Sequence, residues 1–369
     1  LWSMPSPEPP LTQSSTASSS QPTSDAALLG AELTLRSGEV LPNRIVKSAM
    51  SEVLGSKEHA PTQQLERLYR RWARGGVGLQ VTGNVMIDGR ALGEPGNVVV
   101  ESERDLGLLE QWARAGTVRG THLWMQLNHP GKQAPKFLNA ETVAPSAVPF
   151  GKQLSPAFAV PRALEEAEIE DIIQRFGETA AVAQKAGFHG VQIHGAHGYL
   201  VAQFLSPHHN RRTDRWGASL ENRSRFVMEV YREIRRRVGA SFSVGIKLNS
   251  ADFQRGGFDE SDSVVVMQQL SDAGIDLIEV SGGTYESPAM TGAGAPKKKS
   301  TREREGYFLE FVEKARADVK VPLCVTGGFR TPAGMADALR AGVDLVGLAR
   351  TLAVQPDFPK KAIAGKDVK

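Results

Sequence analysis

The sequence predicts an α/β protein built as a (β/α)8 TIM barrel with an N-terminal β-hairpin. From Ala31 onward, short β-branched apolar runs alternate eight times with longer segments of helical period, which implies parallel strands joined by crossover helices. Eight such units over roughly 330 residues fit a barrel with added loops. A doubly wound open sheet would usually carry G-x-G-x-x-G after its first strand, and "RIVKSAMSEVLG" (44–55) has none.

The elements follow in order. Residues 1–27 are rich in Ser, Pro, Thr and Gln. They bury too little apolar surface to offset the cost of ordering and lack the basic start and apolar centre of a secretory signal. They are expected to be a disordered arm ahead of a single barrel domain over 28–369. "AELTLRSGEVLPN" (31–43) predicts the hairpin. The strands are "RIVKSAM", "VGLQVTG", "THLWMQL", "GVQIHGA", "SVGIKLN", "LIEVSGG", "VPLCVTGG" and "LVGLAR". Between them, "PTQQLERLYRRWARGG" places Leu65, Leu68, Tyr69 and Trp72 at i, i+3, i+4 and i+7, the spacing of one helix face. "EIEDIIQRFGETAAVAQKAG", "LENRSRFVMEVYREIRRRVG" and "TPAGMADALRAG" read the same way, and each ends at a capping glycine.

Composition narrows the function. The 44 basic residues nearly balance 41 acidic ones, so there is no global nucleic-acid footprint. No apolar run approaches the roughly 20 residues of a membrane helix. A lone Cys324 excludes an internal disulfide and any four-cysteine metal site and fits a reducing, cytoplasmic setting.

A barrel places its chemistry at the C-terminal ends of its strands. Ser51, Gly83, Gln126, His194, His197, Tyr199, Lys247 and Gly328 all fall at or just beyond such ends. In "HGAHGYLVAQFLSPHHN" (194–210), two histidines and a tyrosine crowd into six residues. Metal ligation, acid–base catalysis and a bland loop all remain open on these residues alone, although the third metal ligand and a helical H-E-x-x-H context are missing. The last two strands end in "VTGGFRTPAG" and "LVGLARTLA". Gly327 and Gly328 let backbone amides approach a phosphate, a helix start adds its dipole, and Arg350 offers a paired contact. Gln126 suits a flavin pyrimidine edge. Lys247 suits negative charge at N1 and O2 of a reduced flavin, set against a lysine that merely snorkels to solvent.

Residues 28–360 resemble the old yellow enzyme family of FMN-dependent NAD(P)H oxidoreductases, closest in pattern to its bacterial and fungal thermophilic-like branch. The most specific stretch is "HGAHGYLVAQFLSPHHNRRTDRWGASLENRSRF", supported by "NRIVKSAM", "QLNHPGK", "TGGFRTP" and "LARTLAVQPDF". The resemblance implies that Ala49 and Ser51 line the flavin near O4 and N5, that Gly83 lets the ring approach, and that Gln126 bonds its pyrimidine portion. It places Lys247 beside N1 and O2, and Gly327, Gly328, Phe329, Ala349 and Arg350 around the phosphate. It makes His194 and His197 the grip on a substrate oxygen, with His194 also beside the cofactor, and Tyr199 the proton donor. The implied reaction moves hydride from NADPH or NADH through FMN to the β-carbon of an activated alkene (enone, enal or nitroalkene), a small-molecule substrate handled by a monomer or homo-oligomer with no nucleic acid and no membrane.

Several positions depart from the family. Lys247 replaces the usual arginine and loses its bidentate geometry. Ser51 stands where a cysteine or threonine is common, Ala349 where glycine is frequent, and Asn128 where yeast-like members are aromatic. Lys247 and Ser51 keep open an FMN-dependent isomerase or cyclase without net redox change; a non-catalytic flavin-binding barrel is a third reading. "RRTDRWG" (211–217) reads as a structural loop fixed by Asp214 and an arginine, with Ser219 and Asn222 as capping residues. "APKKKSTREREG" (295–306) reads as a solvated loop beyond the sixth strand.

Overall fold

A computed structural model describes residues 23–282, 284–286 and 309–368. Most of the expected arm (1–22) and the charged stretch 295–306 lie outside the described residues. Eight parallel strands close into a barrel: β1 (Ile45–Lys47), β2 (Leu79–Met86), β3 (His122–Asn128), β4 (Gly190–Gly195), β5 (Ser243–Asn249), β6 (Leu277–Ser281), β7 (Leu323–Thr326) and β8 (Leu345–Leu348). Each pairs with its sequence neighbours, and β8 pairs with β1, which pairs with β2 and completes the ring. The helices α1 (Gln63–Arg74), α2 (Leu106–Gly116), α3 (Glu166–Lys185), α4 (Leu220–Val238), α5 (Glu260–Ala273), α6 (Leu309–Ala315), α7 (Pro332–Arg340) and α8 (Phe358–Ile363) follow the strands in turn.

The core has two parts because strand residues alternate between faces. Outward residues meet the helices. On α1, Leu65, Tyr69 and Trp72 are buried there, as the helical spacing predicts, and Leu68 is partly buried. Inward residues fill the barrel floor, where Val46, Leu79, Val81, Trp124, Leu277, Cys324 and Leu345 pack together. A Cβ on Gly190 or on Gly245 would lie 2.7 Å from the Trp124 indole, so these two glycines make room for that ring. Leu35 and Leu41, from the antiparallel hairpin Leu33–Thr34 and Val40–Leu41, close the floor from below.

Some boundaries move. Asp25–Leu29, whose first residues belong to the expected arm, form a helix capped by Ser24 and tied to the barrel by buried Leu29. The cap, buried Leu29 and an ion pair between Asp25 and Arg340 hold Asp25–Ala27, which composition placed in the arm. The first strand stops at Lys47, and the segment expected to carry it through Met50 is irregular. Two small pairings were not anticipated: Val98–Val99 on β2, and Val143–Ala144 with Arg162–Ala163. In the 211–217 loop, Arg212 and Asp214 pair as expected, while the Arg212 guanidinium also donates to the carbonyls of Pro145 and Leu164. Ser219 caps α4 by accepting from the Asn222 amide; Asn222 itself sits inside the helix.

Candidate active site

Because all eight strands run parallel, their C-terminal ends share one end of the barrel, and the expected site residues gather there in three groups. The first is the histidine–tyrosine cluster. His194 is the penultimate residue of β4; His197 lies in the turn beyond it at φ 61°, and Tyr199 caps the short helix Leu200–Leu205. A non-glycine residue in the left-handed region costs energy that surrounding contacts must offset. Here the His197 amide donates to Asn249 Oδ1 at 3.2 Å and its Nε2 lies 2.7 Å from Ser281 Oγ. The turn folds the three side chains together: the His194 ring centroid is 5.2 Å from that of His197 and 4.7 Å from that of Tyr199.

Both imidazoles are held neutral. Burial, reinforced by His197 and Lys247, keeps His194 well below the usual histidine range. Burial and Lys247 bring His197 down to about 3, against the opposing pull of Glu279. The Ala196 amide donates to His194 Nδ1 at 3.3 Å, which leaves the ring proton on Nε2. Burial pushes the Tyr199 hydroxyl well above 10, with the neighbouring Tyr285 acting in the same direction. Tyr199 therefore stays protonated, and a neutral donor can give a proton only where strong negative charge develops.

The second group is a polar belt inside the barrel that joins Gln126 to Lys247 through residues the sequence reading did not single out. Gln126 donates to Gln192 (2.8 Å), Gln192 to Glu279 (2.7 Å) and Thr326 to Glu279 (2.6 Å). Lys247 Nζ lies 3.2 Å from Glu279 Oε1. Lys247 is 3% exposed and Glu279 1%, so the snorkelling alternative for Lys247 does not hold. Lys247 and neighbouring hydrogen bonds keep Glu279 below the usual carboxylate range even though burial opposes this. Strand alternation carried the missed signal: Gln192 and Glu279 sit at inward phases of otherwise apolar strands.

The third group frames the site's edges. A register shift in β2 between Val81 and Asn84 sets Gly83 against the end of the first strand segment. There its amide donates to Glu52 Oε1 at 2.9 Å, and the Tyr69 hydroxyl donates to the same carboxylate. Lys47 donates to Tyr69 (3.2 Å) and to the Val81 carbonyl (2.6 Å). Glu52, Tyr69 and Lys47 were also missed as a polar unit. Ser51 lies 3.5 Å from Asn84 Nδ2, and Ala49 packs beside the barrel floor. Gly327 and Gly328 both take positive φ (143° and 78°). Thr351 ties their segment to the next by donating to the Phe329 carbonyl at 3.0 Å. The Phe329 side chain is buried, which leaves only its backbone for a ligand. Beyond the glycine pair the nine-residue helix α7 begins at Pro332, whereas the helix beginning at Arg350 is five residues long and Arg350 is exposed.

His208, His209 and Glu286 converge with ligand atoms within 4.8 Å of one another, but Lys132 Nζ stands 3.3 Å from His209 Nδ1 and 4.0 Å from Glu286. The cation of this cluster is an ammonium. Among the described residues no helix is long and apolar enough to cross a membrane.

Residues 33–368 match the model of the NADH:flavin oxidoreductase / NADH oxidase family. The chain belongs to the old yellow enzyme family. It is 38% identical over 361 residues to an NADH-dependent flavin oxidoreductase of Hypocrea jecorina, covering 91% of this chain and 89% of the relative. It is 39% identical to a like-named protein of Neonectria sp., where it covers 90% of itself and only 47% of the longer relative. The solved old yellow enzyme homologue of Zymomonas mobilis superposes with a TM-score of 0.77 at 24% identity, covering 92% of this chain and 94% of that one, which bears on the fold alone. Old yellow enzyme members are FMN-dependent oxidoreductases with a nicotinamide hydride donor, and this chain is one of them.

The site fits the cofactor on its own chemistry. Asn128, at the end of β3, is 1% exposed, yet both its side-chain polar atoms lack a hydrogen-bond partner, and Asn84 Oδ1 is likewise buried and unpaired. Unpaired buried amides are costly, and a heterocycle with donors and acceptors on its edges would satisfy them.

Proposed function

We propose that this enzyme reduces activated alkenes (enones, enals or nitroalkenes), with NADH as hydride donor, the donor named for its fungal relatives. The observation that carries the reading is the meeting of two neutral imidazoles and one protonated phenol at a single barrel end. FMN, when bound, supplies hydride transfer between the nicotinamide and the alkene β-carbon. Ala49, Ser51, Gly83, Gln126 and Lys247 would hold its ring, with His194 beside it, and Gly327, Gly328, the Phe329 backbone, Ala349 and Arg350 its phosphate.

The chain's own residues then do the polar work. His194 Nε2–H and His197 Nε2–H donate to the substrate's carbonyl or nitro oxygen and stabilise the negative charge that grows there. For His197 this exchanges its contact with Ser281 for the substrate oxygen. Neutral donors suit the task, since a permanent imidazolium beside Lys247 would be repelled before any substrate arrived. Tyr199 gives its proton to the α-carbon as general acid.

The test is the absorption spectrum of the purified holoenzyme under anaerobic conditions. NADH bleaches the flavin band and 2-cyclohexenone restores it. In Tyr199→Phe the bleaching rate stays within twofold, while restoration slows by roughly 10²–10⁴. A wild-type band that an enone leaves bleached overturns the alkene reading.

A further inference from the structure

Tyr285 follows β6 and is absorbed by none of the roles above. Its hydroxyl lies 2.9 Å from that of Tyr199, with ring centroids 6.0 Å apart and planes inclined at 70°. Tyr199 is 5% exposed and is walled by His194 at 4.7 Å and by Asn84. Tyr285 is half-buried, its other side against Phe158 at 6.3 Å. Tyr285 is thus the more exposed member of the hydroxyl pair.

We propose that Tyr285 is the relay that reprotonates Tyr199 after each turnover. The inference rests on the reading of Tyr199 as proton donor. When Tyr199 protonates the α-carbon, its O–H bond breaks, a C–H bond forms, and a phenolate remains. Tyr285 gives its hydroxyl proton to that phenolate and then takes one from water. The net transfer is one proton from solvent to carbon, and neither tyrosine changes oxidation state.

Two features favour this direction of transfer. A phenolate is costlier at the deeper position: burial pushes Tyr199 well above 10, whereas for Tyr285 the hydrogen bond with Tyr199 works against the upward push of burial and nearby Glu94. Charge therefore moves outward once the donor is spent. The relay is also held in place by its neighbour. Glu286 accepts from Gln254 at 3.3 Å and lies 3.6 Å from His209 and 4.0 Å from Lys132, which anchors the backbone directly beside Tyr285.

The experiment compares Tyr285→Phe with the wild type and with Tyr199→Phe, each as FMN-loaded enzyme with unchanged melting temperature. In Tyr285→Phe, the rate of flavin bleaching by NADH and turnover with ferricyanide, which needs no proton, are expected to stay within twofold. Turnover with 2-cyclohexenone is expected to fall about tenfold or more, with a larger solvent isotope effect in D2O. Wild-type enone turnover and isotope effect in Tyr285→Phe, alongside a crippled Tyr199→Phe, overturn the relay alone. Full enone activity in Tyr199→Phe overturns the donor assignment and the relay with it.

Discussion

Replacing Glu279 by Gln isolates the charge at the centre of the barrel. The carboxylate accepts from Thr326 at 2.6 Å and Gln192 at 2.7 Å and faces Lys247 at 3.2 Å, with both ionic groups at most 3% exposed. The amide keeps the shape but leaves Lys247 without its counter-charge in a nearly dry interior. Removing one partner of a buried pair costs about 3–5 kcal/mol. With an unfolding entropy of roughly 2.1 cal/mol/K per residue over about 320 described residues, that lowers Tm by about 4–7 °C. Calorimetry and urea denaturation of the holoenzyme measure it. The double variant Glu279→Gln/Lys247→Met should recover more than half the loss, because it removes the stranded charge as well. A single variant within 1 kcal/mol of wild type would refute the reasoning, showing that Lys247 is compensated by something other than Glu279.

Three further outcomes follow from the same geometry. His194→Ala should lower kcat/KM for enones by about 10²–10³, the usual loss for one donor to a developing oxyanion; steady-state kinetics showing less than a fivefold change would remove His194 from the grip. In Gly83→Ala the new Cβ would lie 2.2 Å from Glu52 Oε2 and 2.4 Å from the Met50 carbonyl. Because the second neighbour is backbone, the first strand segment must shift, at about 1–3 kcal/mol; the ratio of flavin to protein absorbance should fall, and full occupancy with an unchanged Tm would contradict the packing. Acid should destabilise the fold early. Burial holds His129 at about 4 and His209 at about 3, and both accept hydrogen bonds on Nδ1 as neutral rings. Their folded pKa values lie below the unfolded value near 6.5, so the unfolded chain binds more protons below that pH. The stability they contribute is full above pH 6.5 and is lost as pH falls toward 3, by up to about 1.4 kcal/mol each at pH 5.5. Urea midpoints at pH 7.5 and 5.5 that coincide would contradict this.

The alternation of strand and helix was legible because each unit declares itself locally: short β-branched apolar runs for the strands, period 3.6 for α1, glycine at several helix ends. Once the strands were ordered as a parallel barrel, His194, His197, Tyr199, Gln126 and Lys247 had to share one end, since parallel strands point their C-termini the same way. Chemistry fixed by position along the chain could thus be read from the chain. Partnership could not. Glu279 meets Lys247, Gln192 and Thr326 across 32, 87 and 47 residues of sequence; Tyr285 meets Tyr199 across 86, and Glu52 meets Gly83 across 31. Each of these polar side chains looks ordinary in its own segment, and its role depends on which strand closes beside it. The same holds for protonation. Nothing in "HGAHGYL" says that its histidines are uncharged, because that follows from burial and from the Lys247 charge set beside them by the closed barrel. The sequence thus determined the scaffold and the placement of the reactive groups, through local periodicity and strand direction. Only the tertiary structure decided their partners and their charge states, because those depend on distances between segments that local pattern does not encode.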